Sequence, residues 1–149
     1  MVGKAMLAGL ALVAAAGEWN GSLADNFGWL LGEWEYREWL AGGPQRRILR
    51  CRASTPNRFE CSGLGGPAEL TFGPGGSLLY RTGSGEARRG YRAVRHTSSE
   101  LVFESRYGDY PQRLAYRLNG DALTYTVSQL DGSRAIVTNL RRAGAGGAD

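Results

Sequence analysis

The chain is expected to be all-β: an up-and-down antiparallel β-barrel of eight to ten strands, opened by a short helical turn. Three observations point there. After residue 32 the chain is a series of short runs alternating apolar and polar residues, cut by Gly, Pro, Asn and Asp, and glycine alone supplies 23 of 149 residues. Helical periodicity is nearly absent. Many short antiparallel strands must also protect their edges, and closing the sheet on itself removes those edges. A two-sheet sandwich is the other architecture that meets the demand.

The elements follow in order. Lys4 precedes an apolar run over 5–16, broken only by Gly9 and ending in Ala14-Ala15-Ala16. This is the layout of a secretory signal peptide cut before Gly17; an N-terminal core helix is the plainer alternative. The domain then spans 17–142, and the Gly/Ala-rich 143–149 is expected to be a flexible tail. Residues 23–31 can form a helical turn capped by Ser22 or Asp25. The first strand, 33–40, carries Trp34, Tyr36 and Glu38 on one face. Runs 46–53 and 58–63 flank the turn Thr55-Pro56-Asn57 as a hairpin. Runs 68–72, 77–81, 88–95 and 100–105 come next. The clearest alternation is 110–118, with Tyr110, Gln112, Leu114, Tyr116 and Leu118 on one face and Pro111, Arg113, Ala115 and Arg117 on the other. Asn119-Gly120-Asp121 turns the chain into 122–129, where Leu123, Tyr125 and Val127 face inward. Asp131-Gly132 leads to the last strand, 134–141.

Cys51 and Cys61 fall opposite each other in the 46–63 hairpin. A cross-strand disulfide fits that placement and an oxidising compartment, periplasmic or secreted; two buried thiols are the alternative. Hydrophobic residues are 42% and charged residues 21%, which suits one packed domain. No apolar run reaches the length of a spanning helix. An outer-membrane barrel is disfavoured because the outward faces carry Arg113, Arg117, Thr124 and Thr126. One His and two Cys exclude a conventional four-ligand zinc site, so no metal and no cofactor are expected. No G-x-S-x-G elbow occurs. Lys4 is the single lysine among 18 basic residues, which reads as a GC-rich bacterial genome. The arginine runs Arg46, Arg47, Arg50, Arg52 and Arg88, Arg89, Arg92, Arg95 read as a solvated wall or a contact for anionic envelope polymers, not a nucleic-acid surface.

Two features carry a resemblance. Gly32-Glu33-Trp34, set at the start of the first strand, is similar to the Gly-x-Trp opening of lipocalins and their calycin relatives. The resemblance implies that Trp34 plugs the closed end of the barrel under a basic residue of the last strand, with Arg141 as the match. Phe103-Glu104-Ser105 through Asp109-Tyr110-Pro111-Gln112-Arg113, then Tyr116-Arg117 and Gly120-Asp121, resembles an uncharacterised bacterial calycin-like family with an H-D-F-P-Q-R-type signature. Gly108 stands where that family has His. The resemblance implies the fold and leaves the activity open.

The inward aromatics Trp34, Tyr36, Phe103, Tyr110, Tyr116 and Tyr125, with Gln112 inside and Glu38 at the rim, suit a small, partly apolar ligand. A barrel of this size filled by its own side chains is the alternative. Glu104, Asp109 and Arg113 form a polar group at the barrel mouth. They would orient a ligand or transfer a proton, or else Asp109 caps a turn and pairs with Arg113. His96 is expected to be exposed; a haem-ligand role, known in some calycin-like barrels, is the minor reading. The function expected is binding of a small molecule by an exported monomer or weak dimer. An enzyme using Asp109, Glu104 and Arg113, or an envelope protein with a solid barrel, are the competing readings.

Overall fold

The computed structural model describes residues 21–72, 77–83 and 89–144. The expected signal segment, Arg88 and the end of the expected tail lie outside them. Ten strands close into one antiparallel barrel: β1 (Gly32–Leu40), β2 (Gly43–Thr55), β3 (Arg58–Ser62), β4 (Ala68–Phe72), β5 (Leu78–Thr82), β6 (Arg89–His96), β7 (Glu100–Glu104), β8 (Arg113–Asn119), β9 (Ala122–Ser128) and β10 (Ile136–Arg142). Each strand pairs with its sequence neighbours, and β10 returns to β1. This is the up-and-down, lipocalin-like barrel expected. Among the described residues no helix is long and apolar enough to cross a membrane.

The one α-helix among the described residues, α1 (Leu23–Phe27), is one turn and a half, too short to persist without help. Ser22 caps it: its hydroxyl accepts from the Asp25 amide at 3.1 Å, and the Asp25 carboxylate accepts from the Ser22 amide at 3.0 Å. Tertiary bonds hold the rest. The Leu23 amide donates to Asn57 Oδ1 and the Ala24 amide to Pro56 O, which clamps α1 beneath the β2–β3 turn. Leu23 and Phe27 are buried there, and Phe27 meets His96 edge-on at 6.2 Å. His96 is therefore half-buried against α1, not an exposed loop residue.

Pairs in register put alternate side chains inside. Leu49, Phe59, Leu70, Leu101, Phe103, Leu114, Leu123 and Leu140 line the buried interior. Outward positions carry arginine–glutamate pairs between neighbouring strands: Arg50 with Glu33, Arg52 with Glu60, Arg113 with Glu104, and Arg95 and Arg117 with Glu100. These explain much of the arginine content as a solvated wall; each such pair contributes about 1 kcal/mol at most. Glu100 is held below the ordinary carboxylate range, chiefly by the Arg117 hydrogen bond.

Cys51 and Cys61 are cross-strand partners in β2 and β3, 4.0 Å apart at Cα, and form a disulfide. β1 pairs with β2 along nine positions but with β10 only through Trp34–Arg142 and Glu35–Arg141. Beyond Glu35 the β1–β2 hairpin therefore projects as a two-stranded tongue. At its base Gly63, at φ 119°, approaches so closely that a Cβ there would lie 2.3 Å from Ile48 O.

Candidate functional site

The barrel has a closed end, a filled waist and an open end. At the closed end Trp34 is fully buried and its indole N–H donates to Leu30 O at 2.9 Å. The Arg142 guanidinium lies 3.9 Å over the indole ring, and its two Nη atoms donate to Leu31 O at 2.5 Å and Trp29 O at 2.7 Å. The basic residue over Trp34 is thus Arg142, not Arg141. Arg141 pairs with Glu35 and is exposed, because one step along a strand reverses the face. Gly32 has φ 114°, the left-handed region that favours glycine, and a Cβ there would sit 2.9 Å from Arg142 Nη1.

The waist is filled with aromatic rings. Tyr80 and Tyr116 share a hydrogen bond at 2.8 Å between hydroxyls, Tyr116 stacks on Tyr125 at 4.7 Å, and Phe103 lies 5.1 Å from Tyr80. Burial pushes the Tyr80 hydroxyl up to about 12, and pushes Tyr116 and Tyr125 upward as well. These rings belong to the buried core: Phe103 lies against Tyr80, Tyr80 against Tyr116, and Tyr116 against Tyr125. Tyr80 and Tyr91 belong to the same inner face and were missed as inward aromatics. The alternations Leu78-x-Tyr80 and Tyr91-x-Ala93 would have found them.

At the open end residues 105–112 form a loop drawn across the mouth. Arg89 donates to Asp109 O and to Tyr110 O (3.1 Å), and the Tyr91 hydroxyl donates to Pro111 O at 2.8 Å. Gln112 ties this loop to its neighbour: Nε2 donates to Gly108 O and Oε1 accepts from the Leu130 amide, both at 3.2 Å. β8 thus begins at Arg113, not at Tyr110. Pro111 has no N–H to donate to a ladder, and its carbonyl is taken by Tyr91. Tyr110 consequently leaves the interior. Its hydroxyl donates to Arg134 O at 2.7 Å, and the Arg134 guanidinium lies 4.1 Å over its ring.

The expected polar trio is not assembled. Arg113 Nε donates to Glu104 at 2.9 Å on the outer wall, while Asp109 is exposed on the loop and no ion pair joins it to either. Among the described residues no three His, Cys, Asp or Glu side chains gather to hold a metal ion.

What the open end does offer is a cavity of about 640 Å³ beside the tongue. Tyr36, Ile48 and Leu64 give it apolar surface, and four arginines line it: Arg46, Arg47 and Arg50, paired with Glu35, Glu38 and Glu33, and Arg37, which has no carboxylate partner among the described residues. Glu38 is exposed at this rim and accepts from Arg47 Nε at 2.8 Å. Burial raises the Tyr36 hydroxyl, Glu38 adds to the shift and Arg47 opposes it. No family model, no curated protein and no solved structure matches the chain.

Proposed function

We propose that the protein binds a small anionic molecule with an apolar part at the open end of the barrel, in the cavity between the β1–β2 tongue and the β3–β4 loop. One observation carries this reading: four arginines and the phenol of Tyr36 border one cavity, and although Glu35, Glu38 and Glu33 pair with Arg46, Arg47 and Arg50, Arg37 has no carboxylate partner among the described residues. A guanidinium presents a planar fork to carboxylate, sulfonate or phosphate. Tyr36, Ile48 and Leu64 would take the apolar part. The filled waist supports a shallow site over a deep one. Kinship with calycins is part of the proposal, supported by Arg142 over Trp34; export is supported by the Cys51–Cys61 disulfide, which persists in oxidising compartments. Proton transfer by Glu104, Asp109 and Arg113 has no such support, since the three side chains do not converge.

Titration with anilinonaphthalene sulfonate, an anionic aromatic probe, tests the site. Arg47→Gln should weaken binding about tenfold, as expected for one charge-assisted contact, while Tyr116→Phe at the waist should leave it unchanged. Equal affinity in Arg47→Gln and the parent protein, both folded by circular dichroism, would reject the cavity as the site.

A further inference from the structure

Up-and-down winding sends successive turns to opposite ends, and the two ends differ in chemistry. The closed end carries polar turns: Pro56-Asn57, Thr97-Ser98-Ser99 and Asn119-Gly120-Asp121. The open end carries most of the large apolar side chains that the fold leaves in water. Trp39 (79% exposed) and Leu40 form the tip of the tongue, Tyr107 (97% exposed) tops the 105–112 loop, and Ile136 and Val137 begin β10. Val94, in the β6 bulge, is the only exposed large apolar residue elsewhere among the described residues. A soluble face has no need of an exposed tryptophan at a projecting tip, so a rim of this kind marks an interaction surface.

Charge says what it meets. Arg37, Arg106 and Arg134 lie within two residues of Trp39, Tyr107 and Ile136 along the chain, and no carboxylate pairs with them among the described residues. Among the described residues the rim's exposed acids are Glu38, already bonded to Arg47, with Asp109 and Asp131. Trp and Tyr settle at the headgroup level of a bilayer, where their rings lie in the apolar boundary and their polar edges stay wet. Arginine bonds lipid phosphates, and basic groups are drawn to anionic leaflets. We propose that the open end of the barrel docks on an anionic lipid bilayer, with Trp39, Leu40 and Tyr107 among the headgroups and Arg37, Arg106 and Arg134 on phosphate. The cavity mouth would then face the membrane. This inference rests on the rim and not on what the cavity holds.

Sedimentation with lipid vesicles tests it. The purified protein should pellet with vesicles of mixed phosphatidylglycerol and phosphatidylcholine, remain in solution with phosphatidylcholine alone, and release as salt rises. Trp39→Ser combined with Leu40→Ser should weaken vesicle binding at least about tenfold. Arg37→Gln and Arg106→Gln should each weaken it about fivefold, the size expected for one basic group at an anionic surface. All four positions are exposed, so the variants should keep the parent's near-ultraviolet circular dichroism. The proposal is overturned by no pelleting with anionic vesicles, by equal pelleting with neutral ones, or by undiminished binding in the Trp39→Ser, Leu40→Ser variant. A dimer that this variant dissociates, with no vesicle binding by either protein, would overturn it too and assign the rim to a second copy of the chain.

Discussion

The Arg142 guanidinium covers the Trp34 ring and satisfies the carbonyls of Trp29 and Leu31. Replacing it by methionine keeps apolar cover but leaves two carbonyls in a part-buried site without a donor. The expected loss is about 2–4 kcal/mol. Arg141→Ala, on an exposed side chain, should stay within about 0.5 kcal/mol. Urea unfolding of the two variants measures both. The waist tyrosines give a pH dependence whose sign is set by burial. Their folded pKa values lie above the unfolded value of about 10, so the neutral phenols favour the fold. That stability is complete below about pH 10 and is lost as pH rises through the folded values. Ultraviolet titration should show Tyr80, Tyr116 and Tyr125 ionising only as the near-ultraviolet circular dichroism collapses; ionisation of all seven tyrosines in one ordinary step, with the fold intact, would contradict the buried cluster. Single residues were partly legible. Trp34 announced itself through Gly32 and its place at the first strand. Its partner was displaced by one position because nothing in Arg141-Arg142 says which of two adjacent arginines faces inward.

At the scale of elements, hairpins were the readable unit. Asn119-Gly120 between two alternating runs placed β8 and β9, and the turn at Thr55-Pro56-Asn57 placed Cys51 opposite Cys61. The disulfide joins strands that are already paired, so it mainly restricts the unfolded chain. Reduction, or paired Cys51→Ser and Cys61→Ser, should lower stability by about 2–4 kcal/mol without changing the barrel, readable as a shifted urea midpoint. The 105–112 loop was not readable. Its alternation continues that of β8 without a break, and only the missing N–H of Pro111 hints that pairing stops. What shapes the loop comes from outside it: Arg89 and Tyr91 on β6, and Leu130 and Arg134 after β9. Contacts that distant in sequence leave no local pattern.

For the whole molecule, alternation and turn chemistry were enough to choose a closed barrel, because strand count and edge protection are global demands. They did not say how the interior is used. Tyr80 and Tyr91 join Phe103, Tyr116 and Tyr125 in the buried waist, and the cavity beside the tongue lies at the mouth, where the tongue leaves the wall. The anionic-probe titration and the vesicle experiment belong to this scale, since each asks what one end of the barrel meets. The ends are chemically unlike: one is sealed by α1, Trp34 and Arg142, and the other is rimmed by Trp39, Tyr107 and arginines.

The narrow β1–β10 seam has a consequence for the birth of the protein. Arg142 reaches carbonyls 111 and 113 residues earlier in the chain, and the Ala143 amide donates to Glu33 O. The first strand therefore waits for the last. As the polypeptide is synthesised, neighbouring hairpins can form one after another, but the ring cannot shut and Trp34 cannot be covered until residue 142 has emerged. Such non-local closure makes folding slow and leaves the growing chain's strand edges unpaired until synthesis is nearly complete.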